Sequence, residues 1–255
     1  MTARDGPDGA PAEEADHAAQ RADAEEAARR SIVDAMRALD RLGLNRGSTG
    51  NASLRWPRQG RPGMLITPTG ADAERLGPGD LCWMGDDGAL EGPWAPSSEW
   101  ALHRSAYAAR DGRAAVLHTH AEHATALACL GRPMPAFHYM VAVAGGADVP
   151  LVPYHTFGTQ ALADAVGRAM VDRDACLLAQ HGLLTAGSTL AQALKVMREI
   201  ESLCKTYLLA LAVGQPPILD AAEMARVVEK FRHYGKSRRA GRQRRRGTPP
   251  RQNCR

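Results

Sequence analysis

The chain has 255 residues, 44% hydrophobic and 24% charged, with a net charge of +4, which suits one sizeable core with length left for extensions. No stretch reaches the ~18 consecutive apolar residues of a membrane span. The first thirty residues lack an apolar block behind a basic head, so no leader is expected and the cytoplasm is the expected compartment.

The charge is unevenly spread. Lys236 to Arg255 hold nine basic residues and no acid, leaving 23 basic against 28 acidic residues before them. This Gly-, Pro- and Gln-containing tail (236–255) has no apolar period and is expected to be disordered. It could contact a polyanion, but a solvated extension is the simpler reading, and nucleic acid is not an expected partner. The cysteines Cys82, Cys129, Cys176, Cys204 and Cys254 form no C-x-x-C pair. Cys129, Cys176 and Cys204 lie in apolar runs and are expected to be buried, reduced thiols.

In chain order, residues 1–12 read as a disordered extension and 13–235 as one domain. A helix is expected over 14–43, with apolar positions at Ile32, Val33, Met36, Leu39 and Leu42. The polar, glycine-rich segment GLNRGSTGN leads into a strand over 51–56. Short strands follow at MLI and LCWM, the latter turning at GDDG. Glu99 to Ala109 form a helix, AAVLHTH a buried strand and AEHATALACL a helix. Residues 135–150 read as irregular, with a short strand at LVPY after them and a helix over 160–172. ACLLAQ is a strand, with GLLTAG its continuation or partner. Thr189 and Gln192 open a long helix to about Val213, and Asp220 with Glu223 starts a last one ending near Gly235. The short strands and hairpin turns predict an α/β layered domain whose central sheet is largely antiparallel.

Candidate metal ligands stand at strand ends. His118 and His120 are two apart, so in a strand both imidazoles face one side. His181 ends another apolar strand, and Gly182 is expected to let the backbone turn after it. Three imidazoles with one exchangeable position would suit a catalytic zinc. Glu99, at a helix start, reads from local pattern either as a first-turn helix glutamate or as a functional acid. His103 lies one helical turn beyond Glu99 and could share its face, while His123 fits a supporting role better than ligation.

Gly50 with Asn51, Thr69 with Gly70, and Ser97 with Ser98 combine small and hydroxyl residues at turns, which an anion needs. Ser97 and Ser98 fit plain helix capping equally well. GLNRGSTGN lacks the lysine of a nucleotide-phosphate loop and does not open a helix, which disfavours nucleoside triphosphates and dinucleotides. The four lysines, Lys195, Lys205, Lys230 and Lys236, all lie late in the chain. None follows a strand near the glycine-rich loops, so a Schiff-base mechanism is not expected.

Taken together, RLGLNRGSTGNASLR, GMLITPTG, PSSEW, VLHTHAEHATAL, MPAFHYMVAVAGG, YHTFGT, LLAQHGLL and VVEKFRHYG resemble the class II aldolase/adducin family, in order, from about residue 32 to 235. The resemblance implies one Zn2+ per subunit on His118, His120, His181 and Glu99, with Glu99 also exchanging a proton in turnover. It assigns Gly50, Asn51, Thr69, Gly70, Ser97 and Ser98 to the substrate phosphate. It makes Tyr139 a proton donor to the aldehyde oxygen in a neighbouring subunit's site, and Phe231 and Tyr234 aromatics that close over the substrate. The implied unit is a homotetramer with sites at subunit interfaces. The implied reaction is reversible cleavage of a ketose 1-phosphate, such as L-fuculose 1-phosphate, to dihydroxyacetone phosphate and a small aldehyde such as L-lactaldehyde. Related branches act on 5-deoxyribulose or 5-methylthioribulose 1-phosphate, or epimerise pentulose phosphates with Asp where this chain has Glu99; a non-catalytic scaffold branch lacks the histidines. The chain departs from the pattern in its longer N-terminus, an insertion at Pro57–Pro62 and the arginine-rich tail.

Overall fold

The computed structural model describes residues 10–233; residues 1–9 and 234–255, including Tyr234 and the basic tail, lie outside the described residues. Helix α1 spans Ala10–Arg41, so residues 10–12, expected to be disordered, already belong to it. The strands are β1 (Asn51–Arg55), β2 (Gly63–Ile66), β3 (Cys82–Gly85), β4 (Leu90–Glu91), β5 (Ala115–Thr119), β6 (Leu151–Val152), β7 (Ala175–Leu178) and β8 (Gly182–Gly187). The other helices are α2 (Trp100–Ala109), α3 (Glu122–Cys129), α4 (Gln160–Ala169), α5 (Leu190–Val213) and α6 (Ala221–His233).

The strands form one sheet in the order β4-β3-β2-β1-β5-β8-β7-β6. Every pair is antiparallel except β6 with β7, so the expected sheet type is borne out. β8 is the hairpin partner of β7, which settles the alternative left open for GLLTAG.

Alternation along the central strands sets the layers. Ala115 and Leu117 of β5, and Ala175 and Leu177 of β7, pack into a core with residues of α1, α3, α5 and α6. Val116, Cys176 and Leu178 point the other way, into a second core with α2 and α4. Both faces are covered, which is why these strands read as nearly continuous apolar runs. Asn51 and Ser53 of β1 stand opposite His118 and Val116 of β5, so they share the α2 side of the sheet.

The departures from the resemblance are largely built into this frame. The Pro57–Pro62 insertion carries Arg58, which bonds Glu25 of α1 and Glu91 of β4, while Arg61 bonds Glu91 as well. The insertion thus ties the long N-terminal helix to the sheet edge. Residues 135–150 are more ordered than expected, with a 3-10 helix at Tyr139–Ala144 and a bridge joining Met134 to Val149. Cys129 corrects its expectation: it ends α3 on the exposed side of an amphipathic turn, whereas Cys82, Cys176 and Cys204 are buried. Cys254 lies outside the described residues.

Candidate metal centre

His118 sits in β5 and His120 immediately beyond it, so the two-residue spacing carries both imidazoles to one side; their ring centroids are 5.1 Å apart. His181 lies between β7 and β8, with its ring 4.8 Å from His118 and 5.0 Å from His120. One nitrogen from each of the three lies within 4.8 Å of the others, a spacing that could hold a metal ion.

The tight β7–β8 connection is made differently from the expectation. Gln180, not Gly182, takes the left-handed conformation, with φ of 54°. Gly182 instead opens β8 and supplies space. A Cβ there would come within 2.5 Å of the Thr119 carbonyl oxygen, 3.0 Å of His120 Cδ2 and 3.3 Å of His118 Cε1.

Glu99 precedes α2 but caps nothing with its side chain. It is 6% exposed and reaches across to the histidines, with Oε2 at 3.2 Å from His118 Nε2 and Oε1 at 3.1 Å from His181 Nε2. The plain helix-start reading is therefore not how this carboxylate is used. His118 Nδ1–H donates to the Leu183 carbonyl at 3.0 Å, which turns the Nε2 lone pair toward Glu99. His118 Nε2, His120 Nε2 and Glu99 Oε1 are all buried without a hydrogen-bond partner. Buried lone pairs aimed at one another repel, and a cation among them resolves the conflict.

Protonation of the neighbouring imidazoles would relieve the same repulsion, and it is in that charged sense that they act on Glu99. Burial alone would raise the Glu99 pKa, but the adjacent His118 and His181 outweigh it and hold the acid well below the usual carboxylate range. Burial, followed by the neighbouring His118 and His181, pushes His120 down to about 4. His120 is therefore neutral at physiological pH, the form that ligates.

The three small-residue segments converge beside this cluster. Asn51 opens β1 opposite His118, and its Nδ2 donates to Glu99 Oε2 at 3.2 Å. Gly50 lets the Asn45 side chain pack against the backbone, where an added Cβ would meet it at 2.6 Å. Thr67 pairs with Ala52, and its carbonyl accepts from Ser97 N–H, which draws Thr69, Gly70, Ser97 and Ser98 to the same end of the sheet. Ser97 is buried and accepts the Glu99 N–H, while Thr69, Gly70 and Ser98 are exposed. Gly158 of the YHTFGT loop presses on Ser98, leaving 3.1 Å between an added Cβ and the Ser98 carbonyl.

Tyr139 is not brought to the histidines within this chain. It is 51% exposed, stacks on His138 at 4.8 Å and lines a cavity of about 820 Å³ with Phe231, Lys195 and Lys230. None of the histidine cluster lines that cavity.

Several supporting residues were not identified from the sequence. Glu201 of α5 accepts the N–H groups of His123 and Ala124 and bonds His123 Nδ1 at 2.7 Å, anchoring the start of α3 just after His120. Ser53 and Tyr107 form a buried group with His103 behind Asn51. Such partners are 50 to 78 residues apart in sequence, and no local spacing signals them.

The family model for the "Class II Aldolase and Adducin N-terminal domain" matches residues 30–208. The chain belongs to the class II aldolase and adducin family. Within this family, it is 48% identical over 209 residues to a 5-methylthioribulose-1-phosphate/5-deoxyribulose-1-phosphate aldolase of Rhodospirillum rubrum, covering 82% of this chain and 93% of the relative. It is 44% identical over 207 residues to L-fuculose phosphate aldolase of Escherichia coli strain K12, covering 81% and 94%. A solved L-fuculose 1-phosphate aldolase superposes with a TM-score of 0.76 at 39% identity, covering 80% of this chain and 96% of that one. The enzyme class expected of a class II aldolase, a lyase, is borne out on the aldolase side of the family. No helix among the described residues is long and apolar enough to cross a membrane.

Proposed function

We propose that this class II aldolase is zinc-dependent and cleaves a ketose 1-phosphate, L-fuculose 1-phosphate or a close analogue, to dihydroxyacetone phosphate and a small aldehyde. One observation carries the reading: His118 Nε2 and His120 Nε2, buried and unpartnered, converge with His181 and with Glu99, whose oxygens stand 3.1 and 3.2 Å from His181 and His118. His118, His120, His181 and Glu99 would hold the ion. A bound zinc supplies Lewis acidity, which lowers the cost of negative charge on the substrate's carbonyl and hydroxyl oxygens.

The chain's own residues do the rest. Backbone N–H groups and hydroxyls of Gly50, Asn51, Thr69, Gly70, Ser97 and Ser98 hold the phosphate and so place the C3–C4 bond beside the histidines. In cleavage the C4 hydroxyl loses its proton, the C3–C4 bond breaks, C4 becomes the aldehyde carbon and the electron pair stays with C3. The C4 hydroxyl proton would pass to Tyr139 of a neighbouring subunit as the phenol gives its own proton to solvent, and Glu99 would relay one proton from solvent to C3; the proton gained at C3 balances the one lost at C4, so both groups end as they began. The half-exposed Tyr139, remote from the histidines of its own chain, fits that contribution across an interface of a homotetramer. Tyr234, with Phe231, would close over the substrate. The free cysteines Cys82, Cys176 and Cys204 fit the reducing cytoplasm.

A second reading keeps every step and changes only the aldehyde half, taking 5-deoxyribulose or 5-methylthioribulose 1-phosphate; the 48% relative of that name favours it. Glu99 in place of Asp weighs against the epimerase branch, and the three histidines weigh against a scaffold. The test is release of dihydroxyacetone phosphate, followed by a coupled reductase, across a panel of ketose 1-phosphates. We expect cleavage of at least one, and the aldehyde half of the best substrate separates the two readings. Epimerisation of a pentulose phosphate without cleavage of any panel member would overturn the proposal.

A further inference from the structure

Behind the metal centre runs a buried polar chain whose inner members, His103, Ser53 and Tyr107, the proposed reaction leaves unused. Glu99, just before α2, and His103 and Tyr107 within it are spaced by four and fall on one helical face. Asn51 and Ser53 are spaced by two along β1 and share the sheet face opposite. The two rows interlock: Tyr107 Oη lies 2.7 Å from Ser53 Oγ, Ser53 Oγ 2.7 Å from His103 Nδ1, and His103 Nε2 2.6 Å from Asn51 Oδ1. Asn51 Nδ2 then reaches Glu99 Oε2 at 3.2 Å. His103 and Ser53 are wholly buried, and Asn51 and Tyr107 are 4% exposed.

The direction of these bonds follows from chemistry. Glu99 is a carboxylate and only accepts, so Asn51 must present its NH2 there and its carbonyl oxygen to His103. That oxygen also only accepts, so His103 carries its proton on Nε2. Its Nδ1 lone pair then takes the Ser53 hydroxyl, whose oxygen accepts from Tyr107. Burial, with the neighbouring His118, pushes His103 down to about 3, and burial raises the Tyr107 phenol, so both stay neutral donors. Inverting the Asn51 amide would set oxygen against carboxylate and N–H against N–H. Five polar groups have been taken from water to fix one amide.

We propose that His103 is a positioning residue: through the Asn51 amide it fixes the orientation of the Glu99 carboxylate, with Ser53 and Tyr107 setting the His103 tautomer. This rests on the reading of Glu99 as a metal ligand. Loss of the chain frees Asn51 to rotate and leaves Glu99 without its fixed donor. The effect falls on the metal site, not only on stability.

The test is Zn2+ affinity of the metal-free full chain, measured against a chromogenic chelator, which requires no substrate. His103→Leu is expected to weaken Zn2+ by about 10-fold or more, in the range of losses for groups behind metal ligands. His103→Gln, which keeps an N–H for Asn51 Oδ1, is expected to bind Zn2+ within about three-fold of the wild type. Ser53→Ala, a smaller change should His103→Leu not fold, is expected to fall between them. Leu102→Ala, a buried change on the same helix outside the chain, is expected to lower the melting temperature without moving Zn2+ affinity. Equal effects of Leu and Gln at position 103, or a Zn2+ loss in Leu102→Ala as large as in His103→Leu, would overturn the proposal. Ring 15N spectra of the metal-free protein separate this from the metal reading. A His103 protonated on Nδ1 overturns the inference whatever Zn2+ does, whereas an Nε2–H ring in a chain that binds no Zn2+ defeats only the metal reading.

Discussion

Asn51 stands directly opposite His118 in the antiparallel pairing of β1 with β5, so a proposed phosphate-holding residue and a proposed metal ligand share one rung of the sheet. A slip of β1 by one residue would turn Asn51 to the face away from His118. Register is thus part of the site. It is held by Ala52, which packs into one core, and by Val116, which packs into the other.

That rung predicts an effect of Asn51→Asp, a change of nearly equal volume. It removes the Nδ2 donor and sets a second carboxylate against Glu99 Oε2, where the amide nitrogen is 3.2 Å away. Like charges at that distance cannot both stay ionised without cost. Steady-state kinetics on the best ketose 1-phosphate should show kcat/KM down by about 100-fold or more. Far-ultraviolet circular dichroism should be unchanged.

Glu99→Gln separates holding the ion from moving the proton. The three histidines remain, so metal analysis should still find one ion per chain, bound more weakly. Turnover should fall by about 10²- to 10⁴-fold, the range for loss of a general acid–base group.

Gly182→Ala tests crowding. Its methyl would lie 2.5 Å from the Thr119 carbonyl oxygen and close to the rings of His120 and His118. The backbone has to shift, at a cost of about 1–3 kcal/mol by urea unfolding. Zn2+ affinity should drop with it, because the displaced atoms belong to the ligands.

Much of the fold was legible because it rests on local pattern. The helical periods of α1 and α5, the Thr189 cap and the apolar runs of β5 and β7 each follow from a few adjacent residues. The histidine cluster was legible for the same reason: His118 and His120 obey strand alternation, and His181 ends a second strand. What was not legible depends on distant partners. From local pattern alone the plain helix-start reading of Glu99 outweighed the functional one, which only the family resemblance supplied; the placing of α2 over β1 brings the carboxylate to the histidines. Ser53 and Tyr107 carry no local mark. Gln180 takes the left-handed turn that Gly182 was expected to make, because Gly182 is needed where three other atoms crowd it. Cys129 lies in an apolar run yet faces out, since α3 ends there.

The insertion clamp predicts a pH dependence. Burial would raise the Glu25 pKa, but hydrogen bonds and charge from Arg58 and Arg29 outweigh it and lower it below its usual 4.5. A lowered carboxylate contributes stability above its unfolded value and loses it as pH falls through the folded one. Arg58→Ala should therefore cost about 1–2 kcal/mol near neutral pH. The gap between wild type and variant in urea midpoint should narrow as the pH is taken below 4.5.

The central claim is that four side chains, His118, His120, His181 and Glu99, hold an ion the reaction requires. The most direct measurement is the initial rate of dihydroxyacetone phosphate release by the full chain as purified, after chelation to the metal-free state, and after one equivalent of Zn2+ is returned. Activity should be lost on chelation and recovered with Zn2+, with no recovery in His181→Ala. Cleavage that continues undiminished in the metal-free chain would contradict that claim.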